Sequence, residues 1–159
     1  MPDKAIFRQF FIDINMVCEM KITDAETEGY EATIEVRVDS HYANQVVSLG
    51  TITELFGMAG GKLSMMYDGD AGFMRAFESL EFIAPAYQGD YVKVTARLLS
   101  VGRTSRKRRY EAYVVARTHG VGSSPSHGEI LSPPLLIARA IGTAVTPLDL
   151  QRTTPTANS

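Results

Sequence analysis

Cysteine is almost absent from the sequence, since Cys18 is the only thiol in 159 residues. One cysteine excludes a disulfide within the chain and a cluster of thiolate metal ligands. The three histidines do not complete a ligand set either, because His119 and His127 lie in a stretch of small residues without carboxylates arranged around them. We therefore predict a reducing, cytoplasmic setting and no metal site.

An excess of positive charge is also missing, because 16 Lys and Arg residues face 18 Asp and Glu residues. Proteins that bind nucleic acid or anionic membranes need a local or global basic excess. The longest apolar helical pattern is interrupted by Glu54 and Lys62, and the N-terminal segment by Arg8, Asp13 and Glu19, so neither a membrane span nor a secretory signal is expected. We predict no nucleic-acid partner and no membrane partner.

Strict alternation marks the first strand. Apolar side chains alternate with polar ones from Tyr30 to Asp39, which is typical of a strand with one buried face. A chain of 159 residues with 45% hydrophobic residues can bury one substantial core. We therefore predict a single domain over residues 30–147, an N-terminal extension of unknown role over residues 1–29, and a disordered tail over residues 148–159.

The pattern then changes to a helical period. Apolar residues recur at steps of three or four, as one face of a helix requires: Val46, Leu49, Ile52, Phe56, Ala59, Leu63 and Met66. Four glycines interrupt this segment, and each weakens a helix by about 1 kcal/mol relative to alanine. We infer that they let the helix lie close against a sheet.

Four strand-like segments follow the turn Asp68-Gly69-Asp70, over residues 72–84, 90–99, 105–118 and 135–145. Residues 100–103 predict a hairpin turn, and residues 119–134, which are rich in Gly, Ser and Pro, predict a long loop. One strand, one long helix and four more strands give an α+β fold. We expect a curved antiparallel sheet wrapped around one long central helix.

Several motifs resemble those of the hotdog-fold ammonia-lyases that act on β-alanyl- and 3-aminobutyryl-coenzyme A, in order and spacing from about Asp39 to Pro147. The most specific is Glu-Phe-x-Ala-Pro-x-Tyr-x-Gly-Asp, which runs from Glu81 to Asp90. The resemblance implies a hotdog fold and an acyl-coenzyme A (acyl-CoA) substrate. It also implies homodimers that join their sheets edge to edge and often assemble further, with active sites between subunits near the start of the helix.

The helix departs from the family pattern at two positions. Where the lyases carry Gly-Asp-x-x-Thr-Glu-Leu, this chain has Met58 and Lys62 in place of the acidic residues. Three functions therefore stay open: a lyase that adds ammonia, another amine or water to the β-carbon of a short-chain acyl-CoA, or eliminates it; a thioesterase; and a non-catalytic acyl-CoA-binding protein. None of them requires a cofactor other than the coenzyme A of the substrate.

Three residues are candidates for proton transfer. Glu54 is a carboxylate on a largely uncharged helix and is our candidate base, with an exposed structural glutamate as the alternative. His41, just before the helix, can act as acid or base or orient the thioester, or can simply cap a strand end. Glu81 can point into the site or pair with a basic neighbour in the sheet.

Two further groups are candidates for binding the substrate. Backbone N–H groups at the start of the helix suit the thioester oxygen, and Tyr42, Asn44 and Gln45 precede them. A basic run follows the predicted hairpin turn, and we expect Arg103, Ser105 and Arg106 to meet the phosphates of coenzyme A. Alternation spreads the basic residues of this run over both faces of a strand, so a solvated strand is the competing interpretation.

Overall fold

A computed structural model describes residues 29–39, 41–118 and 122–152. Its elements in chain order are strand β1 (Glu31–Arg37), helix α1 (Leu49–Asp68) and strands β2 (Phe73–Phe82), β3 (Tyr91–Val101), β4 (Ser105–Arg117) and β5 (Glu129–Val145). The strands form one antiparallel sheet in the order β1-β3-β4-β5-β2. Helix α1 against this curved sheet confirms the predicted α+β hotdog fold.

Helix α1 is delimited at both ends by local hydrogen bonds. Ser48 caps the N-terminus, where its hydroxyl accepts from the backbone N–H of Thr51 at 3.2 Å. Gly69 ends the helix in the left-handed conformation, and its N–H donates to the carbonyl of Met65 at 3.1 Å. The face between the caps is buried against the sheet by Ile52, Leu55, Phe56, Ala59 and Leu63.

The helix begins three residues later than the apolar pattern predicts. Asn44 and Gln45 both have positive φ, at 49° and 63°, which stops a right-handed helix from extending through them. Val46 instead forms an isolated bridge with Tyr87. The segment before α1 is therefore a turn that faces the loop after β2.

Glycine allows close approach between α1 and the sheet at one position. A Cβ on Gly60 would lie 2.7 Å from the Tyr110 hydroxyl and 3.0 Å from the Arg108 guanidinium. A Cβ on Gly57 or Gly61 would meet no atom within 4 Å. A Cβ on Gly50 would meet only the Ser48 hydroxyl, at 3.7 Å. The inferred role of the helix glycines is therefore confirmed for Gly60 and is wrong for Gly50, Gly57 and Gly61.

Two arginines occupy core positions on β4. Alternate residues of this strand face α1, and they include Arg106 and Arg108 as well as Tyr110. Arg106 donates to both carboxylate oxygens of Asp68, at 2.9 and 2.6 Å, at the last residue of α1. Arg108 donates to the carbonyl of Gly60 at 3.0 Å and to the hydroxyl of Ser64. Charge-assisted hydrogen bonds therefore join β4 to the second half of the helix.

The predicted loop over residues 119–134 is too long at its C-terminal end. β5 starts at Glu129, and it pairs with β4 through Arg117–Glu129 and Ala116–Ile130 before the register breaks. Residues 131–134 have no partner in β4. They contain two prolines, which lack the backbone N–H that strand pairing requires. The proline-rich composition predicts this interruption but hides the short paired stretch before it.

The predicted tail also begins too early. Leu148–Leu150 form a 3₁₀ turn, and the side chain of Gln151 donates to the carbonyls of Arg103 and Thr146, at 2.9 and 2.7 Å. The backbone N–H of Arg152 donates to the carbonyl of Asp68 at 2.7 Å. Disorder over residues 148–152 is therefore wrong, while residues 153–159 and nearly all of the N-terminal extension lie outside the described residues.

The Gly60→Ala variant should lower the free energy of unfolding by about 1–3 kcal/mol, because the new methyl group overpacks the contact with Tyr110 and Arg108. Gly57→Ala is the matched control, and it should raise stability by about 1 kcal/mol through helix propensity alone. Denaturant unfolding at one fixed protein concentration measures both. Equal effects in the two variants would contradict the close approach at Gly60.

Candidate functional site

An open apolar cavity lies beside the N-terminus of α1. Its volume is about 290 Å³, and its walls come from the turn before the helix, the first helical turn, the end of β2 with the loop behind it, and β5. All ten lining residues have apolar side chains: Val46, Val47, Leu49, Ile52, Phe82, Ile83, Ala84, Pro85, Ala86 and Ile137. A recess of this kind suits the hydrocarbon part of a ligand.

Backbone hydrogen bonds hold two walls of the cavity together. The N–H of Val47 donates to the carbonyl of Ala86 at 2.9 Å, and the N–H of Gln88 donates to the carbonyl of Gln45 at 2.8 Å. With the Val46–Tyr87 bridge, these bonds fasten the turn before α1 to the loop after β2. Backbone hydrogen bonds therefore join the start of the helix directly to the opposite wall.

A partly buried ion pair supports this loop, and sequence inspection did not identify it. Asp90 is fully buried, accepts from the guanidinium of Arg117 at 2.8 Å and accepts from the backbone N–H of Tyr87 at 2.9 Å. Arg117 also donates to the carbonyl of Pro85 at 3.1 Å and lies 5.1 Å from the centre of the Tyr87 ring. The sequence marks Asp90 as the last residue of the Glu81–Asp90 motif. It does not indicate Arg117 as the partner of Asp90, because Arg117 lies 27 residues further along the chain.

The first turn of α1 provides backbone donors at the cavity. The first four N–H groups of a helix have no acceptor within the helix, and the Ser48 cap satisfies that of Thr51. Leu49 lines the cavity, and the N–H groups of Leu49 and Gly50 stand at the positive end of the helix dipole. The arrangement can stabilise negative charge that develops on an oxygen at the mouth of the cavity.

Four of the residues predicted to form the site at the start of the helix lie in one turn. His41, Tyr42, Asn44 and Gln45 form the turn that leads into α1, and all four are exposed. Glu54 lies just beyond the first turn on the exposed face of the helix. In the part of the chain that the structure describes, the Glu54 carboxylate forms no ion pair, and Glu54 is not among the residues that line the cavity.

Glu81 does not face the cavity. Its neighbour Phe82 lines the cavity, and successive side chains of a strand point to opposite faces. The Glu81 carboxylate instead accepts from Arg139 at 2.7 Å across the β2–β5 pair, where both side chains are more than half exposed. The predicted catalytic role is corrected to the alternative, a cross-strand ion pair.

The basic run lies at the opposite end of α1, which is about 30 Å long at 1.5 Å per residue. Arg103 is exposed in the turn between β3 and β4, and Ser105 begins β4 beside it. Arg106 is 2% exposed and is held by Asp68, so its predicted contact with a coenzyme A phosphate is corrected to a structural role. Lys107 faces outward and hydrogen-bonds Glu78, which lowers the pKa of that carboxyl below its usual value.

The two departures from the family pattern on α1 have different surroundings. Met58 is about half exposed. The ammonium of Lys62 donates to the carbonyl of Thr33 in β1 at 2.8 Å. Lys62 therefore joins the helix to the outer strand and does not face the cavity.

Metal binding and membrane insertion receive no support from the described ranges. No three His, Cys, Asp or Glu residues are grouped there in a way that would hold a metal ion. No helix within the same ranges has the length and apolar character needed to cross a bilayer.

Comparison with known proteins finds similarity to enzymes that act on acyl thioesters. A model of the thioesterase superfamily matches residues 44–118. The chain is 38% identical over 116 residues to the 3-aminobutyryl-CoA ammonia lyase of Acetoanaerobium sticklandii, which covers 72% of this chain and 90% of that protein.

Two solved structures extend the comparison. The β-alanyl-CoA:ammonia lyase from Clostridium propionicum superposes with a TM-score of 0.74 and 25% identity over 80% of this chain and 91% of that one. A hexameric broad-specificity acyl-coenzyme A thioesterase superposes with a TM-score of 0.60 and 27% identity over 77% of this chain and 83% of that one.

The Arg117→Met variant should lower the free energy of unfolding by about 3 kcal/mol, because it leaves the buried Asp90 carboxylate without its cation. Arg97→Met is the matched control: it breaks the exposed pair with Glu31 and should cost less than about 1 kcal/mol. Denaturant unfolding of the two variants, side by side, compares these costs. A small effect for Arg117→Met would show that Asp90 does not need its partner.

Proposed function

Because the chain belongs to the acyl-coenzyme A ammonia-lyase family of the hotdog thioesterase superfamily, we propose that it adds ammonia to, or eliminates it from, the β-carbon of an acyl-CoA thioester. The observation that carries this proposal is the apolar cavity at the N-terminus of α1 in a chain 38% identical to such a lyase. Water or another amine can take the place of ammonia in the same chemistry.

The reaction balances without an oxidant or a further cofactor. In elimination, a base takes the proton from the α-carbon, the bond between the β-carbon and nitrogen breaks, and a carbon–carbon double bond forms. The nitrogen leaves as ammonia or ammonium, so the thioester stays intact. Coenzyme A takes part only as a portion of the substrate, and the predicted cytoplasmic setting supplies it in reduced form.

The helix N-terminus is assigned to the thioester oxygen. Loss of the α-proton drives negative charge onto this oxygen, and the N–H groups of Leu49 and Gly50 point toward such a charge. One preorganised donor of this kind contributes about 3 kcal/mol to the stabilisation of the transition state. The turn with Tyr42, Asn44 and Gln45 closes the mouth and contacts the pantetheine arm.

Glu54 is assigned as the base and His41 as the group that carries the proton at the leaving nitrogen. Glu54 is the one carboxylate on α1 between the Ser48 cap and Asp68. An exposed carboxylate becomes a stronger base when substrate and a neighbouring subunit remove water from it. An imidazole can both donate and accept a proton, so His41 can serve both directions of the reaction.

The site is proposed to lie between subunits of a homodimer or larger homo-oligomer. β2 is an outer strand of the sheet and exposes Phe73, Leu80 and Phe82. An antiparallel contact between two copies of β2 reverses the direction of the second subunit, so the C-terminal end of one α1 approaches the N-terminal end of the other. Arg103 and Ser105 then reach the coenzyme A phosphates of the neighbouring site.

Mass spectrometry of the products tests the reaction. Crotonyl-, acryloyl- and 3-aminobutyryl-CoA are incubated with the protein, each with and without ammonia. We expect a thioester shifted by the mass of ammonia. Unchanged thioesters that bind tightly would replace this proposal with a non-catalytic acyl-CoA-binding protein.

A thioesterase is the second candidate, because the superfamily match and the likeness to a broad-specificity thioesterase favour it. Here Glu54 or His41 would direct water onto the carbonyl carbon. Release of free thiol separates the two functions, since elimination of ammonia leaves the thioester whole. Free coenzyme A from saturated and unsaturated thioesters alike would establish hydrolysis.

The Glu54→Gln variant should lower kcat by at least about 100-fold, because a positioned base contributes that much to proton transfer. The affinity for the acyl-CoA should stay within about threefold, because the amide keeps the size of the side chain. Glu35→Gln, on the exposed face of β1, is the control and should keep full activity. Retained turnover in Glu54→Gln would remove Glu54 from the mechanism.

A further inference from the structure

We propose that the cavity beside α1 holds the end of the acyl chain, and that the preferred substrate carries an alkyl tail of several carbons beyond its β-carbon. This inference rests on the proposed function for the position of the thioester at the helix N-terminus. It extends the substrate class beyond the four-carbon acyl group for which the curated relative is named.

The chemistry of the walls selects an apolar tail. Every lining side chain is a hydrocarbon, from Val46 and Ile52 on the helix side to Phe82 and Ile137 on the sheet side. A charged or hydroxylated group placed among them would lose its water without gaining a hydrogen bond from a side chain. An ammonium group is therefore excluded from the depth of the cavity and belongs at its mouth.

Away from the helix N-terminus, backbone donors of the walls are already engaged and offer a polar tail no compensation. The N–H of Val47 donates to Ala86, and the N–H groups of Ile83 and Ala84 both donate to the carbonyl of Ile137, at 2.8 and 3.3 Å. A polar tail would have to displace these bonds, which also fix the shape of the walls. An alkyl tail needs none of them.

The volume decides the length of the tail. An apolar protein cavity of about 150 Å³ binds a molecule the size of benzene. The cavity here measures about 290 Å³, roughly twice that volume. The single methyl group that 3-aminobutyryl-CoA carries beyond its β-carbon would leave most of it empty. A linear tail of several methylene groups, or a branched one, fills it.

A chain-length series tests the proposal. The kcat/KM for ammonia addition is measured with acryloyl-, crotonyl-, 2-hexenoyl-, 2-octenoyl- and 2-decenoyl-CoA. Each methylene group that enters the cavity should raise kcat/KM by about fourfold until the cavity is full. The highest kcat/KM at acryloyl- or crotonyl-CoA would overturn the proposal.

Binding of saturated thioesters separates this inference from the lyase chemistry. Calorimetry with butyryl-, hexanoyl- and octanoyl-CoA gives dissociation constants without any reaction at a double bond. If the constants fall with chain length while no ammonia is added, the tail site stands and the lyase function fails. If they stay level across the series, the tail site fails, whatever the reaction.

A cavity-filling variant locates the tail. Ala84→Leu places three more carbons in the cavity and should lower the ratio of octanoyl-CoA to butyryl-CoA affinity at least about tenfold. Ala71→Leu makes the same change at an exposed position away from the cavity and should leave the ratio unchanged. An unchanged ratio in Ala84→Leu would place the tail elsewhere.

Discussion

The buried contact between β4 and the second half of α1 is the constraint on which the rest of the structure depends. Arg106 and Arg108 bring two cations into the core, and each must be met by polar groups because an unpaired buried charge costs several kcal/mol. Asp68 meets the first, with help from the hydroxyl of Thr146 at 3.1 Å. The Gly60 carbonyl and the Ser64 hydroxyl meet the second. These partners exist only at one rotation and one depth of the helix, so the contact fixes where α1 lies and where its N-terminus opens beside the sheet.

The elements of the fold were largely predictable because the spacing of apolar residues and the composition change sharply along the chain. Alternation located β1, and steps of three or four located α1. The errors lie where a contact distant in sequence overrides a local pattern. Val46 continues the helical period but pairs with Tyr87, and β5 begins before its prolines because β4 offers a partner strand. Residues 148–152 carry no regular pattern, yet they hydrogen-bond to the end of α1 and to the turn before β4.

The site was predictable to a smaller degree. Sequence position alone places the turn from His41 to Gln45 and Glu54 near the start of one helix. It does not reveal the face to which Glu81 points, because a strand with two partly exposed faces shows no clear alternation. The run of basic residues had the same ambiguity, which Asp68 resolves by drawing Arg106 inward. The pair formed by Asp90 and Arg117 and the shape of the cavity arise from distant segments, and no local pattern announces them.

The bond from Lys62 to β1 bears on how many copies of this sheet can join. The Tyr30 carbonyl and the Val38 N–H both form hydrogen bonds on the β3 side of β1. In an antiparallel strand, the backbone groups of successive residues point to alternate sides. Thr33 is an odd number of residues from both, so its carbonyl points away from β3, toward the outer edge of the sheet. The Lys62 ammonium occupies this acceptor and sets a charge where another strand would add. A sheet whose two edge strands can both pair can extend without limit as copies are added. A sheet that can pair only through β2 forms one contact, related by a twofold axis, and then has no further edge available. The Lys62 side chain thus leaves β1 less suited than β2 to pair with a second copy of the sheet.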